Sequence, residues 1–280
     1  MSYKLHVTSY MKLSVCIPTF NEQKNIHLPL ASTIDIADEI VIIDGGSTDK
    51  TREIAASYGP KVKIYQVDNP ANFLVNKQRA IEKARGEWIL QLDADEALSP
   101  KLKEEIAKLL NLQFDIRASN FSGYLIPRKN WFLGRYLMKG GVYPDYVLRL
   151  YKREGAYFEL KNVHENVIIK SKVKSQKSKI GYFKNPILHN ADPTFKRYLL
   201  RWNRYNTFDA RQLLEEKEKP CLPCYFIGKP LVTFLSIYIR HKGFMDGWQG
   251  LVWAFFSAIR YWGVYLRHHK LKVKNEKFRV

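Results

Sequence analysis

Between residues 12 and 100, strand-like and helix-like segments take turns without interruption, and this alternation restricts the fold more than any other feature. "KLSVCIPTF" (12–20), "DEIVIID" ending at Asp44, "KVKIYQV" and "EWILQLD" are short β-branched, apolar runs of the kind found in strands buried on both faces. Helical stretches separate them. "NEQKNIHLPLAS" is shortened or kinked by Pro29. "DKTREIAASYG" is capped by Ser47 or Thr48 and stops at Gly59. "ANFLVNKQRAIEKARG" closes at Gly86, and Ser99-Pro100 opens a fourth helix with a cap and a proline at its first position. Strict alternation predicts an α/β domain with a mainly parallel sheet and helices on both faces. Ligands of such sheets bind beyond the carboxyl ends of the strands, where Thr19, Asn21, Glu22, Asp44, Asp93 and Asp95 all fall.

The fourth strand finishes in "LDADE", three carboxylates in four residues. Strand residues two apart point the same way, so Asp93 and Asp95 converge on one ion if strand geometry persists through them. Oxygen ligands without His or Cys nearby suit Mg²⁺ or Mn²⁺, and Mg²⁺ is usually held by one or two carboxylates together with substrate phosphates. Asp44, at the end of a sister strand, suits a ribose or base hydrogen bond; the competing reading is a turn aspartate that satisfies the amides of "DGGSTD". No G-x-G-x-x-G follows the first strand and no G-x-x-x-x-G-K-[ST] occurs, which disfavours dinucleotide dehydrogenases and P-loop NTPases.

Charge narrows the partners. The 280 residues carry 46 Lys and Arg against 27 Asp and Glu, a formal +19, which attracts nucleic acid, anionic membrane or phosphorylated substrate. No nucleic-acid recognition motif accompanies that charge, so nucleic acid is not expected as a partner. Cys16, Cys221 and Cys224 make no disulfide framework and point to a reducing, cytoplasmic setting. The start lacks a signal-peptide apolar stretch, and no run of 18 apolar residues suggests a simple transmembrane helix.

"SVCIPTFNE", "EIVIIDGGSTDKT" and "GEWILQLDADE", in this order, resemble the family 2 glycosyltransferases of GT-A fold, a Rossmann-like architecture. "NWFLGRYL", "GGVYPDYVLRLYKR" and "VHENV" resemble the branch holding lipopolysaccharide-core β-glucosyltransferases. The resemblance implies an inverting transferase that uses Mg²⁺ or Mn²⁺ and moves a sugar from a UDP-sugar to a glycan or glycolipid acceptor. Pro18, Thr19, Glu22, Asp44, Lys77 and Asp93 would line the nucleotide pocket. Gln78 stands where the family commonly has Asn after the basic residue. Asp93 and Asp95 would hold the metal, with His164 as a further ligand or as the residue orienting the base. Glu165 would be the catalytic base, with Asp145 second. The chain lacks the "ED" pair of processive members, which argues against polymer elongation.

Three segments follow from this reading: 1–115 as the nucleotide-sugar half, 116–195 as the acceptor half, and 196–280 as a helical extension. Trp131, Phe132, Tyr136 and Tyr143 are candidates to stack on an acceptor sugar, against an ordinary core role. Arg149 alternates with apolar residues and pairs with either phosphate or carboxylate. The C-x-x-C pair at 221–224 has no second ligand pair and does not suggest zinc. Aromatic and basic residues crowd 230–270 as two helices broken at "HKGFMDG". These suit peripheral association with an anionic membrane, at the cytoplasmic face of the inner membrane, or else a homo-oligomer contact. The competing functions are a non-catalytic basic nucleotide- or nucleic-acid-binding module and a sugar-nucleotide nucleotidyltransferase.

Overall fold

The structure is a computed structural model, and it describes residues 11–70, 72–111, 121–159, 167–170 and 179–277. The chain divides into two compact units: residues 1–128 with 145–189, and residues 129–144 with 190–280.

In the first unit, β1 (Leu13–Thr19), β2 (Glu39–Asp44), β3 (Val62–Gln66) and β4 (Trp88–Gln91) lie side by side in the order β3-β2-β1-β4, all parallel. The alternation of the sequence explains the two-sided burial. Leu13, Val15, Ile17, Ile40, Ile42 and Leu90 point to one face. There they meet α1 (His27–Thr33) and α4 (Pro100–Asn111) through Leu30, Leu102 and Ile106. Cys16, Val41, Ile43 and Ile89 point to the other, against Leu74, Ala80 and Ile81 of α3 (Leu74–Lys83). Helix α2 (Thr51–Ala56) follows β2. Burial pushes the Cys16 thiol far above its ordinary pKa, which leaves it inert.

Past β4 the sheet changes sense. β8 (Asp145–Lys152) pairs antiparallel with β4 and with β6 (Phe121–Phe132), and β12 (Ile187–Asp192) pairs antiparallel with β5 (Glu96–Leu98). The sheet is therefore mixed, with antiparallel pairs in its second half beside the parallel β11–β6 pair, where alternation alone suggests mainly parallel strands. Its full order is β3-β2-β1-β4-β8-β6-β12-β5. β7 (Arg135–Tyr136) and β11 (Lys179–Tyr182) also join β6, and β9 (Ala156–Phe158) pairs with β10 (Val167–Ile169) as a separate ribbon.

The second unit is mostly helical. Thr194 caps α5 (Phe195–Glu215), its side chain accepting from the Arg197 amide. A helical rod follows, made of a π turn (Cys224–Gly228), α6 (Lys229–Leu235) and a second π turn (Ser236–Arg240). A 3₁₀ turn (Gly243–Asp246) leads into α7 (Gly247–Lys277), so the break expected at "HKGFMDG" is present. The Cα atoms of Cys221 and Cys224 lie 5.2 Å apart, a spacing that a disulfide can span. Phe132 is a core residue, packed edge-on against Tyr198 and Trp253, and is not available to stack on a sugar. Among the described residues no helix is long and apolar enough to cross a membrane.

Candidate active site

At the carboxyl edge of the parallel strands, Thr19 stands beside Asp44 in register. The loops that follow are laced together. The amide of Asn21 donates to Ser47 Oγ at 2.9 Å, the amide of Thr48 to Asn21 Oδ1 at 2.8 Å, and the amide of Glu22 to Thr51 Oγ1 at 2.8 Å. Asp44 is fully buried and serves this turn directly, accepting from the amide and the hydroxyl of Ser47. Gly46, at φ 81°, supplies the left-handed residue the turn needs. Glu22 accepts from Asn25 Nδ2 at 2.6 Å, and Pro18 precedes Thr19 in β1. Thr19 is only 6% exposed, and its hydroxyl has no hydrogen-bond partner among the described residues. Buried hydroxyls are normally satisfied, so an orphan at this edge fits a polar ligand group.

Strand geometry does not persist through the D-x-D motif. β4 ends at Gln91, a turn carries Asp93 and Asp95, and Glu96 begins β5. The two aspartates consequently diverge. Asp93 lies 2.7 Å from Lys77 Nζ and 2.7 Å from Arg149 Nη2. Burial would raise the Asp93 pKa, but the charges of Arg149 and then Lys77 more than offset it and hold the carboxyl far below its usual range. Asp95 faces elsewhere, its Oδ1 3.5 Å from His189 Nε2. His189 is in register with Glu96 in the β12–β5 pair, which is what carries it to the turn.

Around Asp93 runs an alternating series of charges. Arg149 also donates to Glu96 Oε1 at 2.9 Å, and Arg128 Nη1 donates to the same oxygen at 3.2 Å. Arg128 Nε and Nη2 both donate to Asp145 Oδ2, at 3.0 and 2.8 Å. Lys77, Asp93, Arg149, Glu96, Arg128 and Asp145 thus form a neutral chain of three cations and three anions drawn from α3, the turn, β8, β5 and β6. Arg149 pairs with the carboxylates of Asp93 and Glu96, one of the two kinds of partner open from its position in the sequence. Arg128 and His189 are the residues sequence reasoning missed. Arg128 sits in an apolar strand pattern much as Arg149 does, and His189 lies in "ILHNAD", where a lone histidine gives no signal.

The donor set can be tested for a metal. Cis ligands at about 2.1 Å from a Mg²⁺ ion lie about 3 Å apart, so Asp95 and His189 are spaced to share one ion after a small closure. Asp93, bound by two cations, is poorly placed to be a ligand. Among the described residues no three His, Cys, Asp or Glu side chains converge. His164 and Glu165 lie outside the described residues.

The parallel half of the sheet, with an unpartnered hydroxyl at its carboxyl edge and an acidic turn beside it, places the polar strand-end residues where ligands of such sheets bind. The chain belongs to glycosyl transferase family 2, whose model matches residues 14–168. Over 269 residues it is 28% identical to the lipopolysaccharide core biosynthesis glycosyltransferase LpsC of Rhizobium meliloti (strain 1021), covering 92% of this chain and 93% of LpsC. A glycosyltransferase of Rickettsia bellii (strain RML369-C) is 27% identical over 246 residues, 86% of this chain and 80% of that protein. Among solved structures, S. aureus TarS 1–349 is similar with a TM-score of 0.46 and 14% identity, over 94% of this chain and 92% of that one. Membership sets aside the non-catalytic module and the nucleotidyltransferase.

Proposed function

We propose that the protein is an inverting, metal-dependent glycosyltransferase. It moves a hexose from a UDP-sugar to an envelope glycan such as lipopolysaccharide core, at the cytoplasmic face of the inner membrane. The observation that carries the donor half is the buried, unpartnered hydroxyl of Thr19 beside Asp44. The likeness to LpsC supports the acceptor class.

In this reading Pro18, Thr19, Glu22 and Asp44 form the nucleoside pocket. Asp95 and His189 hold Mg²⁺ or Mn²⁺, and Asp93 with Lys77 fixes the turn that presents Asp95. When bound, the ion neutralises charge on the departing diphosphate. The neutral ion-pair chain has no cation left over for that task, since each of its three cations faces a carboxylate. Asp44→Ala is expected to raise the donor KM about tenfold, through loss of a charged hydrogen bond and of the brace on the 45–48 turn. Unchanged donor kinetics would leave Asp44 as a turn residue only.

Inversion needs a carboxylate that takes the acceptor proton. Asp145 accepts from two guanidinium nitrogens of Arg128, which occupies one of its carboxylate oxygens. Glu165 is the base in this proposal. Glu165→Gln should lower kcat by about 10²–10⁴-fold with UDP affinity unchanged. If Glu165→Gln keeps most activity while Asp145→Asn abolishes it in a folded protein, the roles are the reverse.

A further inference from the structure

We infer that the helical unit docks on an anionic bilayer through two exposed apolar rows, one on the rod 224–240 and one on α7, lying in the interface without crossing it. This rests on the proposed placement at a membrane face and gives that placement a surface. On the rod, Ile227, Leu231, Leu235 and Ile239 recur every fourth residue and all are exposed, Ile227 at 68%. Val232, beside them, is 67% exposed. On α7, Trp248, Leu251, Phe255, Trp262 and Leu266 follow three-, four- and seven-residue steps that keep them on one face for about 27 Å. Phe244 and Met245 are exposed on the turn that joins the two.

These rows are not spare core. The inward side of α7 is already committed: Trp253 and Phe256 pack with Tyr198, and Val264 and Tyr261 with Tyr225 and Ala210. Phe226 stacks on Trp262, and the Trp262 indole donates to the Phe226 carbonyl at 3.0 Å. The rod and α7 are thereby joined, and the one polar atom of Trp262 is satisfied by that carbonyl. Large exposed apolar rows on a protein mark an interaction site.

Charge selects the occupant. From 221 to 273 the sequence has seven Lys and Arg and a single acid, Asp246. Asp246 is buried, accepting from the amides of Met138 and Lys139. A symmetric contact between two copies would set this positive charge against itself. An anionic headgroup layer neutralises it, while aromatic and aliphatic side chains enter the acyl boundary. No described helix has the length and apolarity to span, so the segments lie in the plane of the interface.

The test is flotation of the full chain with vesicles of phosphatidylcholine alone and of equal parts phosphatidylcholine and phosphatidylglycerol. The wild type should float with the anionic vesicles. Leu231→Ser/Leu235→Ser/Trp248→Ser, all at exposed positions, should lower the partition coefficient at least about tenfold with an unchanged circular dichroism spectrum. Brominated acyl chains should quench tryptophan fluorescence, and Trp248→Phe should remove part of that quenching. Equal flotation of variant and wild type would overturn the assignment of this surface while leaving the membrane placement standing. A wild type that fails to float would overturn both, and its conversion from dimer to monomer by the triple substitution would show a second copy to be the occupant. Donor turnover, measured separately in detergent, reports on the transferase reading alone.

Discussion

Arg149→Met is expected to destabilise the fold by about 3–5 kcal/mol, the cost of breaking a buried ion pair from one side. Arg149 is almost fully buried and donates to both Asp93 and Glu96. Methionine fills comparable volume, so packing loss is small, but two carboxylates lose a shared cation. Glu96 is fully buried and keeps only Arg128 among the cations of the chain; Asp93 keeps Lys77. That partial compensation puts the effect toward the lower end of the range. Urea unfolding, followed by circular dichroism, measures it. Arg149→Met/Glu96→Gln should recover part of the loss, because the second change removes one stranded charge. A single variant within 1 kcal/mol of wild type, roughly the worth of an exposed pair, would mean that the series is held by solvent and not by Arg149.

Asp95→Asn should lower kcat/KM by about 10³-fold. Metal stabilisation of transition-state charge is worth several kcal/mol, and each 1.36 kcal/mol is a factor of ten. Asparagine keeps the shape of the turn, so unfolding midpoints should barely move. His189→Gln should act in the same direction with smaller size, since a carboxylate and the phosphates remain. Calorimetry separates this from a general loss of activity: wild type should bind UDP with Mn²⁺ and lose most of that affinity in EDTA, whereas Asp95→Asn should bind UDP weakly with or without metal. If Asp93→Asn removes the metal dependence and Asp95→Asn preserves it, Asp93 is the ligand.

The parallel half of the sheet was legible because its information is local. Leu13 to Ile17 is apolar at every position but Ser14, and Ile40 to Ile43 throughout, and a strand buried on both faces needs that pattern whatever its neighbours are. Ser99-Pro100 likewise marks the start of α4, with the Ser99 hydroxyl accepting from the Leu102 amide. The family motifs were legible for the same reason, since each lies at a strand end that the periodicity already locates.

What the sequence by itself determined was therefore the layered α/β arrangement, the gathering of polar strand-end residues at the carboxyl edge, and the aromatic, basic character of the C-terminal helices. Tertiary structure decided the rest, through contacts between residues far apart in the chain. Strand geometry fails after Gln91 because Glu96 pairs with His189, some ninety residues on; that pairing turns Asp95 toward His189 and leaves Asp93 to Lys77 and Arg149. The partner of Arg149 was undecidable from its own strand, because phosphate and carboxylate are equally good guanidinium acceptors and only the packing of β8 beside the turn chooses between them. On α7 both faces are apolar in sequence, and only the packing of Trp253, Phe256 and Val264 onto α5 and the rod shows which face is consumed by folding and which remains for a partner.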